Sequence, residues 1–417
     1  MKNVSSYIRL MSRYQKMDTY ICMQERKMYS NSFIDILLDV IVSIFLTFKV
    51  VNYSLVYILK VSETGFLSTM FMVTAVLFAM ASAYKLIKRS GKLSSVGILI
   101  ILIVLSLYVI YINRSNVKIT EIIMYFTIPI IIGFREKFCF KRILGIVLLI
   151  SLLPLFCFSA MFSVGWYGGI NMDISYAFLP VIAAAFVHFA FYFRECRNKL
   201  LYIALYVVNL VYFAQILMFG ERGTLLCLLA CIVLLLNIRY KDNRVTYKRM
   251  SLKVFVAVIC AGIFILFGDS ILKLLANTFN INSYAINKFI EMLEKNDISN
   301  GRFAIYRNAI DSFFHSPVWG RGIGSFEFFT GEEYPHNLVL QLLHDGGLVL
   351  FGFNLYVLIK GSRLILSAKD RDYIAMWIYL LSISVIYLMF SQNIWFLPAY
   401  WIFVGMLSSI SSRKMRI

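Results

Sequence analysis

The stretch Gly301–Leu348, GRFAIYRNAIDSFFHSPVWGRGIGSFEFFTGEEYPHNLVLQLLHDGGL, separates two groups of long apolar runs. It is polar and aromatic, and it holds three of the four histidines of the chain. The whole chain of 417 residues is 60% hydrophobic and has a mean hydropathy of +0.77. Apolar runs of about 20 residues exceed what a water-soluble core can bury. The sequence therefore predicts an all-α integral membrane protein.

Twelve apolar runs are candidate transmembrane helices. They lie near Phe33 to Phe48, Phe66 to Tyr84, Val96 to Ile112, Ile119 to Phe134, Leu144 to Ser163, Ser175 to Phe193, Leu200 to Phe219, Thr224 to Ile238, Leu252 to Phe267, Leu348 to Ile365, Tyr373 to Phe390 and Trp395 to Ser409. We therefore expect three regions. Residues 1–267 hold spans one to nine, residues 268–347 form one large external loop subdomain, and residues 348–417 hold the last three spans.

Basic residues predict the orientation, because Lys and Arg near spans are retained on the cytoplasmic side. With the amino terminus inside, the alternate segments that also face the cytoplasm carry 30 of the 41 Lys and Arg residues. Both termini are expected to be cytoplasmic, with the loop 268–347 outside. This placement also accounts for the formal net charge of +19, since basic loops face anionic lipid head groups. It argues against nucleic-acid binding.

The first part of the loop shows helical spacing. Phe303, Tyr306 and Ile310 recur at helix-like intervals after Gly301, which predicts an amphipathic helix ended by Pro317. The following GRGIG, residues 320–324, resembles a phosphate-cradling glycine run but lacks a preceding strand. A tight turn packed on the spans is the favoured interpretation.

His336 is the candidate general base. Asn337 is a plausible N-cap for an apolar helix, residues 338–343, that Asp345-Gly346-Gly347 would end. His336 then lies beside the positive end of a helix dipole, where the neutral imidazole is favoured over the imidazolium. A neutral imidazole can accept a proton from a hydroxyl group.

The other polar candidates carry weaker signals. His188 lies inside an apolar run and is predicted to be structural. His315 and His344 have no partner at ligand spacing, so neither a metal site nor a cofactor is expected. Asp370-Arg371-Asp372 matches a metal-binding carboxylate pattern of sugar-nucleotide transferases, but it falls in a loop assigned to the cytoplasm. We interpret it as a solvated charge cluster.

Arg222 stands at the outer end of a span, within Phe219–Thr224, where an unpaired charge would be costly. It is interpreted in two ways. It pairs with Glu221 as an interfacial anchor, or it joins Arg302 and Arg321 as guanidinium donors for a phosphate or pyrophosphate.

The order of these features resembles the O-antigen ligase and polymerase family of bacterial envelope polysaccharide assembly. The resemblance rests on Phe219–Thr224 and on Gly301–Gly347, and elsewhere on span count and topology. Two positions depart from the family pattern. Tyr306 stands where Trp is frequent, and Glu221 stands where a small hydroxyl residue is common, which affects the expected orientation of Arg222.

The resemblance implies metal-independent, inverting glycosyl transfer from an undecaprenyl-pyrophosphate-linked oligosaccharide. The reaction is expected at the outer face of the bacterial inner membrane, with the active site facing the periplasm. Arg222 and Arg302 would neutralise the pyrophosphate leaving group, and His336 would act as general base. Three residues are secondary candidates for substrate contacts: Arg321, Arg307 and Asn337.

Members of this family differ in the acceptor that they use. Polymerases use another lipid-linked repeat unit, whereas ligases use the lipid A core. The Ile-, Phe-, Tyr- and Lys-rich composition resembles that of the variable polymerases of surface-polysaccharide clusters. This resemblance implies an O-antigen or surface polysaccharide polymerase, and a ligase is the alternative. Expected partners are the donor, the glycan acceptor and membrane lipid, with a chain-length regulator and a flippase of the same pathway as further candidates. A lipid-linked oligosaccharide flippase is the alternative from another class, but the polar groups gather in one loop rather than at the bilayer midplane.

Overall fold

A computed structural model of the chain describes residues 33–59, 119–134, 138–157, 171–219, 222–239, 244–245, 301–368 and 370–412. The α-helices in these ranges are α1 Phe33–Leu46, α2 Phe48–Leu59, α3 Ile119–Gly133, α4 Phe140–Ile150, α5 Asn171–Tyr192, α6 Lys199–Phe219, α7 Arg222–Asn237, α8 Arg302–His315, α9 Phe326–Thr330, α10 Leu338–Ala368, α11 Arg371–Leu380 and α12 Pro398–Ser412. Short 3₁₀ turns cover Leu153–Cys157, Phe193–Glu195 and Ile394–Phe396, and a π-helix covers Leu381–Ile386. The strands β1 Ile238–Arg239 and β2 Arg244–Val245 form one antiparallel pair.

Several of these helices can cross a membrane. Four described stretches are long and apolar enough to do so: Phe140–Cys157, Ile174–Glu195, Lys199–Ile216 and Leu338–Ala368. The pair α1 and α2 qualifies as one bent span, and α7 and α12 contribute shorter apolar helices. The runs near 66–84, 96–112 and 252–267 lie outside the described residues. The all-helical membrane-type fold is thus confirmed, whereas the total of twelve spans stays a prediction.

Two of the apolar segments are not straight helices. The first span bends by 80° between α1 and α2. Ser43 and Thr47 each donate a side-chain hydrogen bond to the carbonyl four residues earlier, at 2.7 Å, and such back-bonding bends helices. The predicted helix end at residues 345–347 is confirmed as a break inside α10, because Gly347 has non-helical backbone, with φ of 61° and ψ of −159°, and divides α10 into two helical segments across a kink.

Helix α5 lies at the centre of the described bundle and packs against α4, α6, α7 and α11. The closest pairing is between α3 and α12. There Gly133 faces Gly405, and a Cβ atom on Gly133 would come within 2.8 Å of the Gly405 Cα. Small residues at a helix interface let the backbones approach, which is the usual means of helix association in membranes.

One end of the bundle, which we call the charged end, carries interhelical ion pairs. The fully buried Asp39 of α1 accepts a hydrogen bond from the Arg142 Nε of α4 at 2.6 Å. Glu195 pairs with Lys141 at 3.2 Å and also with Arg371. These contacts join α1, α4, α5 and α11 at the same end.

The Asp370-Arg371-Asp372 cluster is partly exposed, which agrees with its interpretation as a solvated charge cluster, and each of its side chains also has a structural partner. Asp370 is the N-cap of α11 and accepts from the N–H groups of the residues two and three positions later, at 2.9 and 3.3 Å. Arg371 pairs with Glu195, and Asp372 accepts a hydrogen bond from the Tyr192 hydroxyl at 3.0 Å. The three residues fix the start of α11 on α5.

At the opposite end, the glycine turn docks on α10. The Arg321 N–H donates to the His344 carbonyl at 2.7 Å, and the Gly322 N–H donates to the Asp345 carbonyl at 3.1 Å. Gly320 has a φ of +72°, and a Cβ atom there would lie 2.5 Å from the Gly346 nitrogen. The predicted tight turn packed on a span is therefore confirmed, and glycine is required for both its conformation and its close approach.

The ion pair at the charged end gives a stability prediction. Arg142→Ala removes the guanidinium that pairs with the buried Asp39 carboxylate, and the loss of one partner of a buried pair costs up to about 3–5 kcal/mol. We expect a clear fall in the melting temperature of the detergent-purified protein, measured by its intrinsic fluorescence. Arg363→Ala removes an exposed arginine of α10 and serves as the control. Equal melting temperatures for the two variants would contradict the importance of the pair.

The glycine turn gives a second prediction. Gly320→Ala adds both left-handed strain and a clash with α10, so the turn should detach and become sensitive to limited proteolysis. Gly331→Ala is the matched control, since Gly331 has a φ of +77° with open space around its missing Cβ. The control variant should be destabilised only by its left-handed backbone strain, which costs about 1–2 kcal/mol. Equal proteolysis of both variants would show that the close approach is unimportant.

Candidate active site

Helix α8 carries the first candidate, Arg302. The helix begins at Arg302 directly after Gly301, whose φ is +79°, and it ends at His315. The predicted start and the predicted end before Pro317 are confirmed. The Arg302 side chain is half-buried, and its positive charge acts on His336. The structure thus brings together two candidates that are 34 positions apart in the sequence.

His336 lies directly before α10. The Asn337 Oδ1 accepts hydrogen bonds from the N–H groups of Val339 and Leu340 at 3.0 and 3.2 Å, so the predicted N-cap is confirmed. His336 itself has a φ of 50°. Left-handed backbone is uncommon for residues other than glycine and tends to cluster at functional sites. The side chain of Asn337 serves this cap.

The surroundings of His336 favour its neutral form. Burial, together with the positive charge of Arg302, lowers the pKa of His336 to about 4. The sequence attributed this preference to the helix dipole, but burial and Arg302 are the causes found. The ring lies 4.2 Å from the Tyr334 ring, centroid to centroid. Its Nδ1 is buried without a hydrogen-bond partner among the described residues, which is rare for a buried polar atom.

The secondary candidates Arg321 and Arg307 have different surroundings. The Arg321 guanidinium lies 4.8 Å from the centroid of the Phe329 ring, and its Nε donates to the Ser312 carbonyl at 3.5 Å. These contacts hold Arg321 between α8, which carries Ser312, and α9, which carries Phe329. Arg307 is exposed on α8.

Arg222 is the first residue of α7, but its side chain lies outside the described part of the chain. Its neighbour Gly223 is described. A Cβ atom on Gly223 would overlap the Tyr176 hydroxyl of α5, and Tyr176 stacks on Tyr387 with the ring centroids 4.4 Å apart. The start of α7 therefore packs directly on aromatic residues of α5 and of the segment that follows α11.

A buried polar cluster beneath the turn was missed by the sequence analysis. His344 and Asp345 are both buried, and the His344 Nδ1 lies 2.8 Å from the Asp345 Oδ1. The Trp395 Nε1–H donates to the other Asp345 oxygen at 2.5 Å. Because Trp395 lies fifty positions away, the sequence indicated only a helix-ending role for Asp345.

Gln341 extends this cluster along α10. Its Nε2 donates to the Asn393 Oδ1 at 2.6 Å, and its Oε1 accepts from the Ile394 N–H at 3.0 Å. These bonds tie the helix that follows His336 to the segment before α12. A lone glutamine in the apolar LVLQLL was the available signal, since a buried polar side chain requires partners. We call the end of the bundle that contains Gly223, Gln341 and Asn393 the loop end.

Comparison with known proteins finds one family model that matches part of the chain. Residues 207–355 match the family model described as O-antigen ligase, and this range contains Arg222, Arg302 and His336. Among curated proteins, none matches the chain. The match at residues 207–355 therefore supports an O-antigen ligase/polymerase-like family for this part of a membrane-type helical protein.

Proposed function

We propose that this chain polymerises a bacterial surface polysaccharide. It joins repeat units carried on undecaprenyl pyrophosphate, by inverting and metal-independent glycosyl transfer. The observation that carries the proposal is the half-buried, neutral His336 beside the charge of Arg302, both inside the range that matches the family model. A neutral base and a cation are the groups needed to activate a hydroxyl and to stabilise a phosphate leaving group.

In the proposed reaction, His336 acts as the base, and Arg302 and Arg222 stabilise the leaving group. A hydroxyl oxygen of the acceptor sugar attacks the anomeric carbon of the donor and forms the new glycosidic bond. The bond from that carbon to the pyrophosphate oxygen breaks, and undecaprenyl pyrophosphate leaves with the electron pair. Arg302 and Arg222 stabilise its negative charge. The unpartnered Nδ1 of His336 takes the hydroxyl proton.

We place this site on the periplasmic side of the inner membrane. Lys141, Arg142 and Arg371 pair at the charged end, whereas His336 lies on the far side of the bundle, beside the loop end. The positive-inside rule supports a cytoplasmic charged end. Lipid-linked sugars, rather than nucleotide sugars, are the activated donors expected on the opposite side.

An O-antigen ligase is the second candidate, because the matching family model carries that description. It would use the same base and cations with a lipid A core as acceptor. The surface glycan of a deletion strain separates the two. Core bearing a single repeat unit without a ladder indicates a polymerase, and bare core with accumulated lipid-linked polymer indicates a ligase. Single lipid-linked units trapped at the inner leaflet would favour transport and contradict both.

Removing the base tests the mechanism. His336→Ala should lower the rate of transfer from a purified lipid-linked donor by about 10²–10⁴-fold, the usual contribution of a general base. His315→Ala is the control, since His315 is exposed and its Nδ1 lies 2.7 Å from the Asp311 carbonyl on its own helix. The control should keep the original rate. Full activity of His336→Ala would rule out His336 as the base.

The pH dependence of transfer tests the pairing of His336 with Arg302. Because the base works when neutral and its pKa is about 4, kcat/KM should stay level from pH 7 to about pH 5 and fall near pH 4. Arg302→Gln removes a charge that lowers the pKa of His336, so the acid limb of the residual activity should move to higher pH. Arg302→Lys keeps the charge and should keep the limb in place. An acid limb at the same pH in Arg302→Gln and Arg302→Lys would contradict an effect of the Arg302 charge on the pKa of His336.

A further inference from the structure

A cavity of about 260 Å³ lies inside the bundle. Its described lining is mostly phenylalanine, leucine, isoleucine, proline and alanine, with three tyrosines, Tyr125, Tyr176 and Tyr387. Lys49 is the only charged residue among the described lining residues, and its Nζ lies 3.5 Å from the Oε1 of the lining residue Gln392. The described wall is therefore mostly apolar, with one cation, one amide group and the three tyrosines.

Irregular backbone surrounds this cavity. The 80° break between α1 and α2 lies beside Lys49, and α5 contains Pro180, which has no N–H group for the helical hydrogen bond. The π-helix Leu381–Ile386 and Gln392, with its φ of 71°, complete the wall. Within a membrane, non-helical backbone is tolerated where it lines a cavity or is buried in protein, and π-helical turns are frequent at functional sites. The convergence of these features indicates a binding site.

The position of the cavity along α3 and α5 indicates what kind of molecule it can bind. Tyr176 is five residues from the start of α5 and Tyr125 is six from the start of α3, which corresponds to roughly 7–9 Å at 1.5 Å per residue. With the helix starts at the outer boundary of the head-group layer, which is about 5–8 Å thick, this distance corresponds to the junction between a lipid phosphate and its hydrocarbon chain. An apolar wall with a single cation matches such a molecule better than a sugar, which requires many hydrogen bonds.

The cavity also adjoins the proposed active site. Tyr176 lies on its wall, and the Tyr176 hydroxyl packs against Gly223, next to Arg222. Gln392 lies on the wall beside Asn393, which binds the Gln341 side chain on the helix that follows His336. A molecule in the cavity would thus lie between the elements that carry the proposed cation and the proposed base.

We infer that this cavity binds the phosphate-proximal isoprene units of a polyprenyl phosphate, with Lys49 at the phosphate. A dry apolar cavity of about 150 Å³ takes up benzene, so 260 Å³ corresponds to about ten carbon atoms, or two isoprene units. The inference rests on the proposed function for the identity of the lipid. It adds a cation, Lys49, that lies outside the range matching the family model.

Binding of geranyl phosphate, a ten-carbon probe, tests this inference on the detergent-purified full chain. Lys49→Gln should weaken binding by about 10-fold or more, as expected for the loss of a charge-assisted contact. Ala399→Met and Ala177→Met each fill the cavity from a different helix and should abolish binding, so that failure of one variant to fold leaves the other. Lys360→Gln is the control, because Lys360 lies on α10 and hydrogen-bonds Tyr356 outside the cavity.

Three further probes identify the ligand class. Geraniol should bind weakly and equally to the original chain and to Lys49→Gln, and inorganic phosphate alone should not bind. Geranyl phosphate affinity that is unchanged in Lys49→Gln, or unchanged in the cavity-filling variants, would overturn the inference. Binding of a free disaccharide at this cavity in place of geranyl phosphate would also overturn it.

The test of the lipid site and the test of the proposed function can fail independently of each other. His336→Ala should still bind geranyl phosphate, since it leaves the cavity intact. A chain that binds the probe through Lys49 but transfers no sugar would contradict the proposed function and leave the lipid site standing. Transfer from a lipid-linked donor with the same KM in the original chain, Lys49→Gln and Ala399→Met would contradict the lipid site alone.

Discussion

Four backbone hydrogen bonds hold the segment Pro317–Gly322 against the kink of α10. Two run from Arg321 and Gly322 to carbonyls of α10, and two run from Leu348 and Val349 to the carbonyls of Pro317 and the next residue. Buried backbone groups need such partners, and the kink at Gly347 provides them. Because α8 precedes this segment and His336 follows it, the position of both depends on these bonds.

A second set of contacts fixes α10 within the bundle. Asp345 accepts from Trp395, and Gln341 pairs with Asn393 and Ile394. Polar groups buried in apolar surroundings are costly unless satisfied, so the arrangement that makes these hydrogen bonds is favoured over its neighbours. This network therefore restricts how the N-terminal end of α10, and His336 with it, lies over the rest of the bundle.

The two ends of the bundle have different physical character. At the charged end, regular helices are joined by ion pairs such as that of Asp39 with Arg142. At the loop end, the backbone departs from the helix at Gln392 and Gly347, and His336 nearby also has a positive φ. Ion pairs stabilise helix positions, whereas irregular backbone provides exposed polar groups and space for a ligand. This difference supports a charged end that holds the helices in place and a loop end that binds a ligand.

Sequence alone determined the features that depend on neighbouring residues. Hydrophobic runs indicated the helices, Gly301 and Pro317 marked the ends of α8, and Asn337 was recognised as a cap, because propensity and capping act within one or two turns. Only the tertiary structure decided which distant groups meet. The Arg302 charge that lowers the pKa of His336, like the pairing of Asp345 with Trp395, depends on how separate helices pack. Local patterns do not specify packing.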